Sequence, residues 1–591
     1  MAQSLGQLNL KVRRRTFVTA LAFLGGFAPW TVLAEETAPQ PPIISGWARA
    51  LPTTARHGMV ASQETRATQI GVEILRSGGN AVDAAVAVGF ALAVTLPRAG
   101  NLGGGGFMLV HLKEQGRTVA IDYRETAPAA LRPDAFLDEA GRFVPARAQS
   151  SGLGVGVPGA VAGLALAHAR YGSGKFSLSQ LIAPAEALAR AGVPVDGDLA
   201  DSLPQAARRL ARYASSREIF FREDGQIKGH GDVLVQRDLA DVLKKISERG
   251  PAGFYEGDIA ERIVKSVRDS GGVMSHDDLK SYAAVERIPL KGSFRNRDVY
   301  VMPPPSSGGV HVLQLLNLLE PYPLAAMGHN SANVIHLMAE AMKLAYADRA
   351  QFLGDPDFHK NPVSALISKR YANDLRHSID PASARPSASI SAGDVVPYES
   401  DQTTHFSIVD RDGNAVANTY TLNFSYGLGQ VVEGAGFLLN NELDDFAARA
   451  DAPNAYGMLG GAANAPAPRK RPLSSMSPTI MTKDGAVELV TGSPGGSRII
   501  TIVLQTILNI FEHDMNVAEA ASAPRIHHQL HPDEIRVERG VSADTIRLLE
   551  QMGHKVKVQP TIGSVQSILR RDGWLMGASD PRQRGSSSSG Y

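Results

Sequence analysis

Apolar positions follow two rhythms along this chain. From Ser62 to Leu96, "SQETRATQIGVEILRSGGNAVDAAVAVGFALAVTL", the spacing is helical. Ser62 with Gln63 and Glu64 reads as a helix start, Gly78-Gly79-Asn80 breaks the run, and Asp83 starts a second, apolar helix. After "NLGGGG" the pattern turns to strand at Phe107, with another strand over Thr118–Tyr123. Residues 160–380 read as amphipathic helical runs alternating with loops, as in Leu178–Ala191, Asp238–Arg249 and Val334–Phe352. Residues 381–402, "PASARPSASISAGDVVPYESDQ", hold few large apolar side chains and read as an exposed, loosely ordered loop. Strands then dominate, at 404–409, 415–422, 478–483 and 487–491, followed by a helix over 498–513 and mixed structure to the end. The closing "GSSSSGY" is low in complexity and is expected to be mobile. Pattern alone gives a mixed α/β fold, strand-rich after 403, with no repeat of fixed period.

The strand that opens the last third begins with the polar cluster Thr403-Thr404-His405. Its alternation continues through Val409, turns at Asp410-Arg411-Asp412-Gly413-Asn414 and returns from Ala415 to Leu422. A five-residue hairpin loop pairs Val409 with Ala415. Counting outward pairs Ser407 with Ala417, His405 with Thr419 and Thr403 with Thr421. Cross-strand partners share a face about 5 Å apart, so two hydroxyls meet at the open end, with Asn423 one step beyond. A threonine hydroxyl needs an adjacent base to act as a nucleophile. A chain cut before Thr403 would supply one, the new α-amine, with a pKa of about 7.7–8.0. A threonine-rich strand also simply has good β-propensity, so the hairpin by itself leaves both readings open.

Composition narrows the classes. The chain has 591 residues, 43% hydrophobic and 20% charged, with 58 glycines and no cysteine. That excludes disulfides, thiolate catalysis and Cys-based metal centres. A formal charge of +1 gives no basic bias toward nucleic acid. The N-terminal "KVRRRTFVTALAFLGGFAPWTVLAEE" has the basic start, apolar stretch and small-residue ending at Ala34 of a secretory signal peptide. Its Arg14-Arg15-Thr16-Phe17 is similar to a twin-arginine signal. Removal of residues 1–34 would leave a charge of −3. The expectation is an exported protein, periplasmic or secreted, with no membrane span after signal removal.

Further segments carry candidate chemistry. "TGSPGGSR" leads from a strand into a helix and can present the N–H groups of Gly495 and Gly496 to an oxyanion. "RPLSSMSP" supplies Ser474 and Ser475, and "NNELDDF" supplies Glu442, Asp444 and Asp445. "NLGGGGF" lacks the GK[ST] ending of a phosphate loop and enters a strand. "RIHHQLHPDE" clusters His527, His528 and His531 without an HExxH spacing, which favours a structural reading over a metal site. "PPPSSGGVH" reads as a rigid loop near the core, "RKRP" as a loop positioning the serines, and His405 as structural.

Together these blocks carry a resemblance. "NLGGGGFML", "DYRETAP", "TTHFSIVDRDGNAVANTYTLNFSYG", "NNELDDF", "RPLSSMSPT" and "TGSPGGSRI" resemble the blocks of the γ-glutamyltranspeptidases, members of the N-terminal-nucleophile hydrolases, and fall along the chain in that family's order. The resemblance covers about residues 45–591. It implies a four-layer αββα sandwich whose two sheets are shared between subunits cut from one precursor. These would be a large subunit, 35–402, ending in the loop at about 381–402, and a small catalytic one, 403–591.

Residue by residue, the resemblance makes Thr403 the nucleophile that cleaves after Gln402, and Thr421 its hydrogen-bonding partner. Gly495 and Gly496 match the oxyanion hole. Arg124, Ser474 and Ser475 match the groups on the substrate α-carboxylate, and Asn423, Glu442 and Asp445 those on the α-ammonium. Tyr456 falls where many members have a lid. The implied reaction transfers the γ-glutamyl group of glutathione, or a related γ-glutamyl compound, to water or to an amino acid or dipeptide acceptor. No cofactor or metal is expected. A cephalosporin- or glutaryl-type acylase and an unprocessed binding protein are the alternatives. A glutaryl group lacks the α-ammonium and would leave Glu442 and Asp445 without a purpose.

Overall fold

The computed structural model describes residues 50–390, 403–449 and 460–591. The export segment, Gln402 and Tyr456 lie outside the described residues. Two seven-stranded sheets, antiparallel throughout, organise the fold. The first runs in the order 587–590, 59–62, 404–409, 415–421, 105–112, 117–123 and 285–287. The second runs 53–55, 574–579, 566–571, 486–492, 479–483, 297–301 and 290–294. Both therefore take strands from either side of position 402.

Side-chain alternation assigns the layers. On the strand Thr404–Val409, Phe406 and Ile408 join a core with Val60, Val110 and the apolar helices at 81–95 and 160–171. Val409 joins the opposite core, with Val490, Ile568 and the helices at 308–319, 332–352 and 499–511. The order is helices, sheet, sheet, helices, the αββα sandwich expected. Thr403 has the parity of His405, Ser407 and Val409, which belongs to the inter-sheet side.

The hairpin register is the expected one, with Val409 opposite Ala415, Ser407 opposite Ala417 and His405 opposite Thr419. Asp410 holds the turn: its Oδ1 accepts from the amides of Asp412 (3.0 Å) and Asn414 (2.9 Å). Its Oδ2 accepts from Ala81 N (2.9 Å), the first residue of the apolar helix. The glycines of "NLGGGGF" serve close packing: a Cβ on Gly104 would lie 2.0 Å from the Thr421 carbonyl oxygen.

Other elements depart from expectation. Residues 160–380 are not all helix and loop, since strands at Val285–Arg287, Leu290–Phe294 and Arg297–Val301 lie there. They are short and only partly buried, the first and second at sheet edges and the third beside the edge, so their apolar alternation is weak. Ser62 ends a strand, and the helix begins at Thr65, with Glu64 as its cap accepting from Ala67 N at 2.9 Å. Asn80 and Asp83 form the reciprocal cap of the second helix, which starts at Ala81. The 498–513 helix is a 3₁₀ turn at Gly496–Arg498 followed by an α-helix over Ile499–Phe511. The C-terminal serines form a strand, Ser587–Gly590, against Met59–Ser62. An open edge there was available to any chain able to extend, whatever its composition. Within the expected loop, residues 381–390 are pinned: Ala384 N donates to Met552 O (2.7 Å) and Ser387 N to Asp533 Oδ2 (2.8 Å).

Candidate functional site

One cleft of about 270 Å³ is lined by Arg124, Thr403, Thr421, Asn423, Glu442, Asp445, Ser474, Ser475, Met476, Gly496 and Ile499. Nine of the candidate residues thus come together from segments more than 300 positions apart. Gly495 stands one residue before the cleft wall, at the cap of the Gly496–Arg498 turn. Gly495 (φ 136°) and Gly496 (φ 54°) both have positive φ, and no side chain caps this terminus. A larger groove, about 1070 Å³ beside Glu64, Asp196, Asp198 and Arg584, holds none of the expected residues.

Thr403 precedes the last paired residue of its strand, Thr404 opposite Tyr420. Thr421 ends the return strand; its Oγ1 accepts from Asn423 N (3.0 Å), and its carbonyl accepts from Asn101 Nδ2 (3.0 Å). Asn423 adopts φ 71° and commits Nδ2 to Asn441 O (2.9 Å). This left-handed residue turns the chain from the hairpin toward the acidic segment.

Arg124 is fully buried at the other end of the cleft. Its guanidinium pairs with Glu442 and, at 2.6 Å, with Asp445 Oδ2, while Nε donates to Pro472 O (3.2 Å). Glu125 Oε2 stands 3.8 Å from Nη1. Burial would depress Arg124, but Glu442, Asp445 and Glu125 outweigh it and hold it above its ordinary value. Burial raises Glu442 well above the usual carboxylate range, opposed by Arg124 and reinforced by Glu125 and Asp445. The same burial, opposed by Arg124, pushes Glu125 up to about 7. Among the described residues, neither side-chain oxygen of Glu125 nor Glu442 Oε2 has a hydrogen-bond partner. Cation and anions thus lie in contact at one end of the cleft, with a nucleophile candidate and a helix terminus in its walls.

A stability effect follows from Glu125. Its folded value, about 7, exceeds its ordinary 4.5, so its contribution is full below pH 4.5 and is lost as pH rises through 7. The expected swing is roughly 3 kcal/mol. Glu125→Gln should therefore be more stable than the parent at pH 8 and show a shallower decline between pH 5 and 8. Denaturant unfolding across that range reads it. Glu442 acts in the same direction, so the slope should shrink without vanishing.

Ser474 and Ser475 are braced by the 303–309 loop: Ser474 N donates to Pro305 O (2.8 Å), and Ser307 N to Ser474 O (2.8 Å). That loop is a support, as its sequence suggested. Lys470 and Arg471 of "RKRP" likewise tie backbone, Lys470 Nζ donating to Ala463 O (2.8 Å) and Arg471 N to Asp355 Oδ2 (2.8 Å). His405 is buried, bonded through Nδ1 to Thr419 Oγ1 (2.7 Å), and burial depresses it to about 3. It therefore stays neutral and lies outside the cleft lining.

His527 and His528 are buried with values near 3 and 4; His527 bonds Thr501 (2.9 Å) and His528 faces Asp533 (3.3 Å). Ligand atoms of His336, Glu340 and His554 lie within 4.8 Å of one another, but Lys343 Nζ already sits 2.8 Å from Glu340 Oε1. This cluster binds the backbone at Asp380 and Arg385 and reads as an internal ion network. Sequence reasoning missed two residues near the cleft. Glu125, beside Arg124, was accessible from adjacency. Arg349, within a helical run, was not.

A family model described as gamma-glutamyltranspeptidase matches residues 67–590. The glutathione hydrolase proenzyme of Escherichia coli is 51% identical, over 98% of this chain and 99% of its own. Among solved structures, the cephalosporin acylase from Bacillus halodurans superposes with TM-score 0.80 at 26% identity, covering 94% of this chain and 99% of its own. The Helicobacter pylori gamma-glutamyltranspeptidase gives 0.56 at 43% identity, covering 57% of this chain and 96% of its own.

Proposed function

The chain belongs to the γ-glutamyltranspeptidase family, and from that premise we propose that it is a self-cleaving γ-glutamyltransferase and glutathione hydrolase. The observation that carries the reading is one cleft joining Thr403 and Thr421 to an Arg124–Glu442–Asp445 cluster. A γ-glutamyl group bears an ammonium and a carboxylate on one carbon. Such a zwitterion needs positive and negative groups side by side, which the pairing of Arg124 with Glu442 and Asp445 supplies in the cleft wall. Arg suits the carboxylate because its planar fork binds bidentately.

In this reading Thr403 Oγ attacks the Gln402 carbonyl, the Gln402–Thr403 C–N bond breaks to leave an ester and a free α-amine, and water hydrolyses that ester to a Gln402 carboxylate and a free Thr403 hydroxyl; the resulting subunits, 35–402 and 403–591, stay together as a heterodimer. The freed α-amine of Thr403 then takes the hydroxyl proton as Oγ attacks the γ-carbonyl of glutathione. The N–H groups of Gly495 and Gly496 stabilise the oxyanion, and Thr421 orients Oγ. The protonated amine delivers its proton to the departing amine, leaving a γ-glutamyl ester on Thr403. Water or an acceptor amine attacks that ester, giving up a proton through the same α-amine, and Oγ is released as hydroxyl. Water yields glutamate; an amino acid or dipeptide yields a new γ-glutamyl compound. Arg124, Ser474 and Ser475 hold the substrate carboxylate; Asn423, Glu442 and Asp445 hold its ammonium; a lid role for Tyr456, outside the described residues, rests on the family resemblance alone.

Export to the periplasm or outside the cell rests on the N-terminal segment. Among the described residues no helix is long and apolar enough to cross a membrane. Release of p-nitroaniline from γ-glutamyl-p-nitroanilide, accelerated by glycylglycine, is the expected assay result. Release from the glutaryl analogue but not the γ-glutamyl compound would instead favour an acylase.

A further inference from the structure

Arg349 lies on the long helix Ala332–Phe352, behind the two serines, and is only 3% exposed. It has no ion-pair partner among the described residues. Its Nη2 donates to Ser475 Oγ (3.3 Å) and its Nε to Ser307 Oγ (2.9 Å). Ser307 Oγ in turn donates to the Ser474 carbonyl (2.7 Å). One guanidinium therefore grips both neighbouring serines, one directly and one through a hydroxyl relay. It is close enough to Arg124 and Asp445 to feel both charges, and burial depresses it to about 10. A buried unpaired guanidinium is costly, so its retention needs a reason.

Hydrogen-bond polarity supplies one. A serine hydroxyl has a single proton and two lone pairs. Ser475 Oγ accepts from Arg349, and Ser474 Oγ accepts from Met476 N (3.2 Å). A bond accepted from a cation turns the Ser475 proton away from Arg349 and favours an anion over a cation beside that hydroxyl. The charges agree: Arg124 is already paired with Glu442 and Asp445, and Arg349 adds positive potential on the serine side.

We propose that Arg349 is a positioning residue for substrate selection, holding the Ser475 hydroxyl directly and the Ser474 backbone through Ser307, and adding a second positive charge on the side of the cleft that takes the α-carboxylate. The proposal rests on the γ-glutamyl reading above. It assigns Arg349 no contact with the reacting atoms.

The test is a substrate-by-variant comparison on the processed enzyme. Wild type, Arg349→Lys and Arg349→Met are assayed on γ-glutamyl-p-nitroanilide and on 4-aminobutyryl-p-nitroanilide, which lacks only the α-carboxylate. For Arg349→Met, kcat/KM on the γ-glutamyl substrate should fall about 10²-fold, mostly through KM. On the 4-aminobutyryl substrate it should change less than about threefold. Arg349→Lys keeps the charge but not the fork and should recover about tenfold of the loss. Equal losses on both substrates, or a loss confined to kcat, would overturn the assignment, since a general structural role predicts them. If Arg349→Met does not fold, the same ratio read on Arg349→Lys decides. A wild type inactive on γ-glutamyl-p-nitroanilide but active on the glutaryl analogue would defeat the functional reading and this proposal with it.

Discussion

Thr403→Ala should emerge from purification as one uncut chain and should lose γ-glutamyl-p-nitroanilide hydrolysis by about 10⁴–10⁶-fold, the scale on which covalent nucleophiles fail when removed. The expectation follows from two features that meet in one residue. Thr403 is the last residue before the hairpin's paired register and lines the cleft. It also follows Gln402 directly in the chain. Losing its hydroxyl removes the group that attacks Gln402, so no α-amine is generated either. Thr403→Ser keeps the hydroxyl and should restore cleavage and part of the activity. His405 cannot substitute as base, because it is buried, neutral and engaged with Thr419. Denaturing electrophoresis reads the cleavage, and a cleaved Thr403→Ala would argue that another group cuts the chain.

Arg124→Leu should have the next largest effect, and on two quantities at once. The buried guanidinium neutralises Glu442 and Asp445 and stands beside Glu125. Removing it strands buried carboxylates, a change that costs about 3–5 kcal/mol of stability. The carboxylates would answer by taking up protons, so the loss should be greatest at high pH. Catalytically, kcat/KM for γ-glutamyl-p-nitroanilide should fall about 10³-fold as the substrate carboxylate loses a charged, two-point partner. Arg124→Lys retains the charge, should fold, and should still lose about tenfold or more because a single ammonium cannot fork. Steady-state kinetics with urea unfolding at pH 6 and 8 separate the two effects. A variant with unchanged KM would remove Arg124 from the carboxylate's binding site.

What could be read from the sequence was local or periodic. The hairpin register was available because strand alternation and a five-residue turn leave one pairing, and Asp410 anchors that turn as an Asx residue can. The capping box at Asn80 and Asp83 was close to legible in the same way. Strands at 285–301 were not, since they are short, lie at or next to a sheet edge, are only partly buried and include Lys and Arg. The C-terminal serines were misjudged because composition describes what a segment prefers alone, and an unpaired sheet edge supplies hydrogen bonds to any backbone. At the site, the residue types and blocks named side chains that line one cleft, both serines and both acids among them. Arg349 escaped because its role depends on a helix from mid-chain packing against residues 307 and 475, a juxtaposition that no local pattern encodes. Glu125 was visible as a neighbour of Arg124, but its burial without a hydrogen-bond partner was not.

The most direct measurement is N-terminal sequencing, with intact mass, of the shorter chain in the purified protein. The expected chain begins at Thr403 and continues through Thr404, His405 and Phe406, its mass matching residues 403–591. A fully active preparation consisting only of uncut polypeptide, or a terminus at any other residue, would contradict the assignment of Thr403 as a nucleophile served by its own amine.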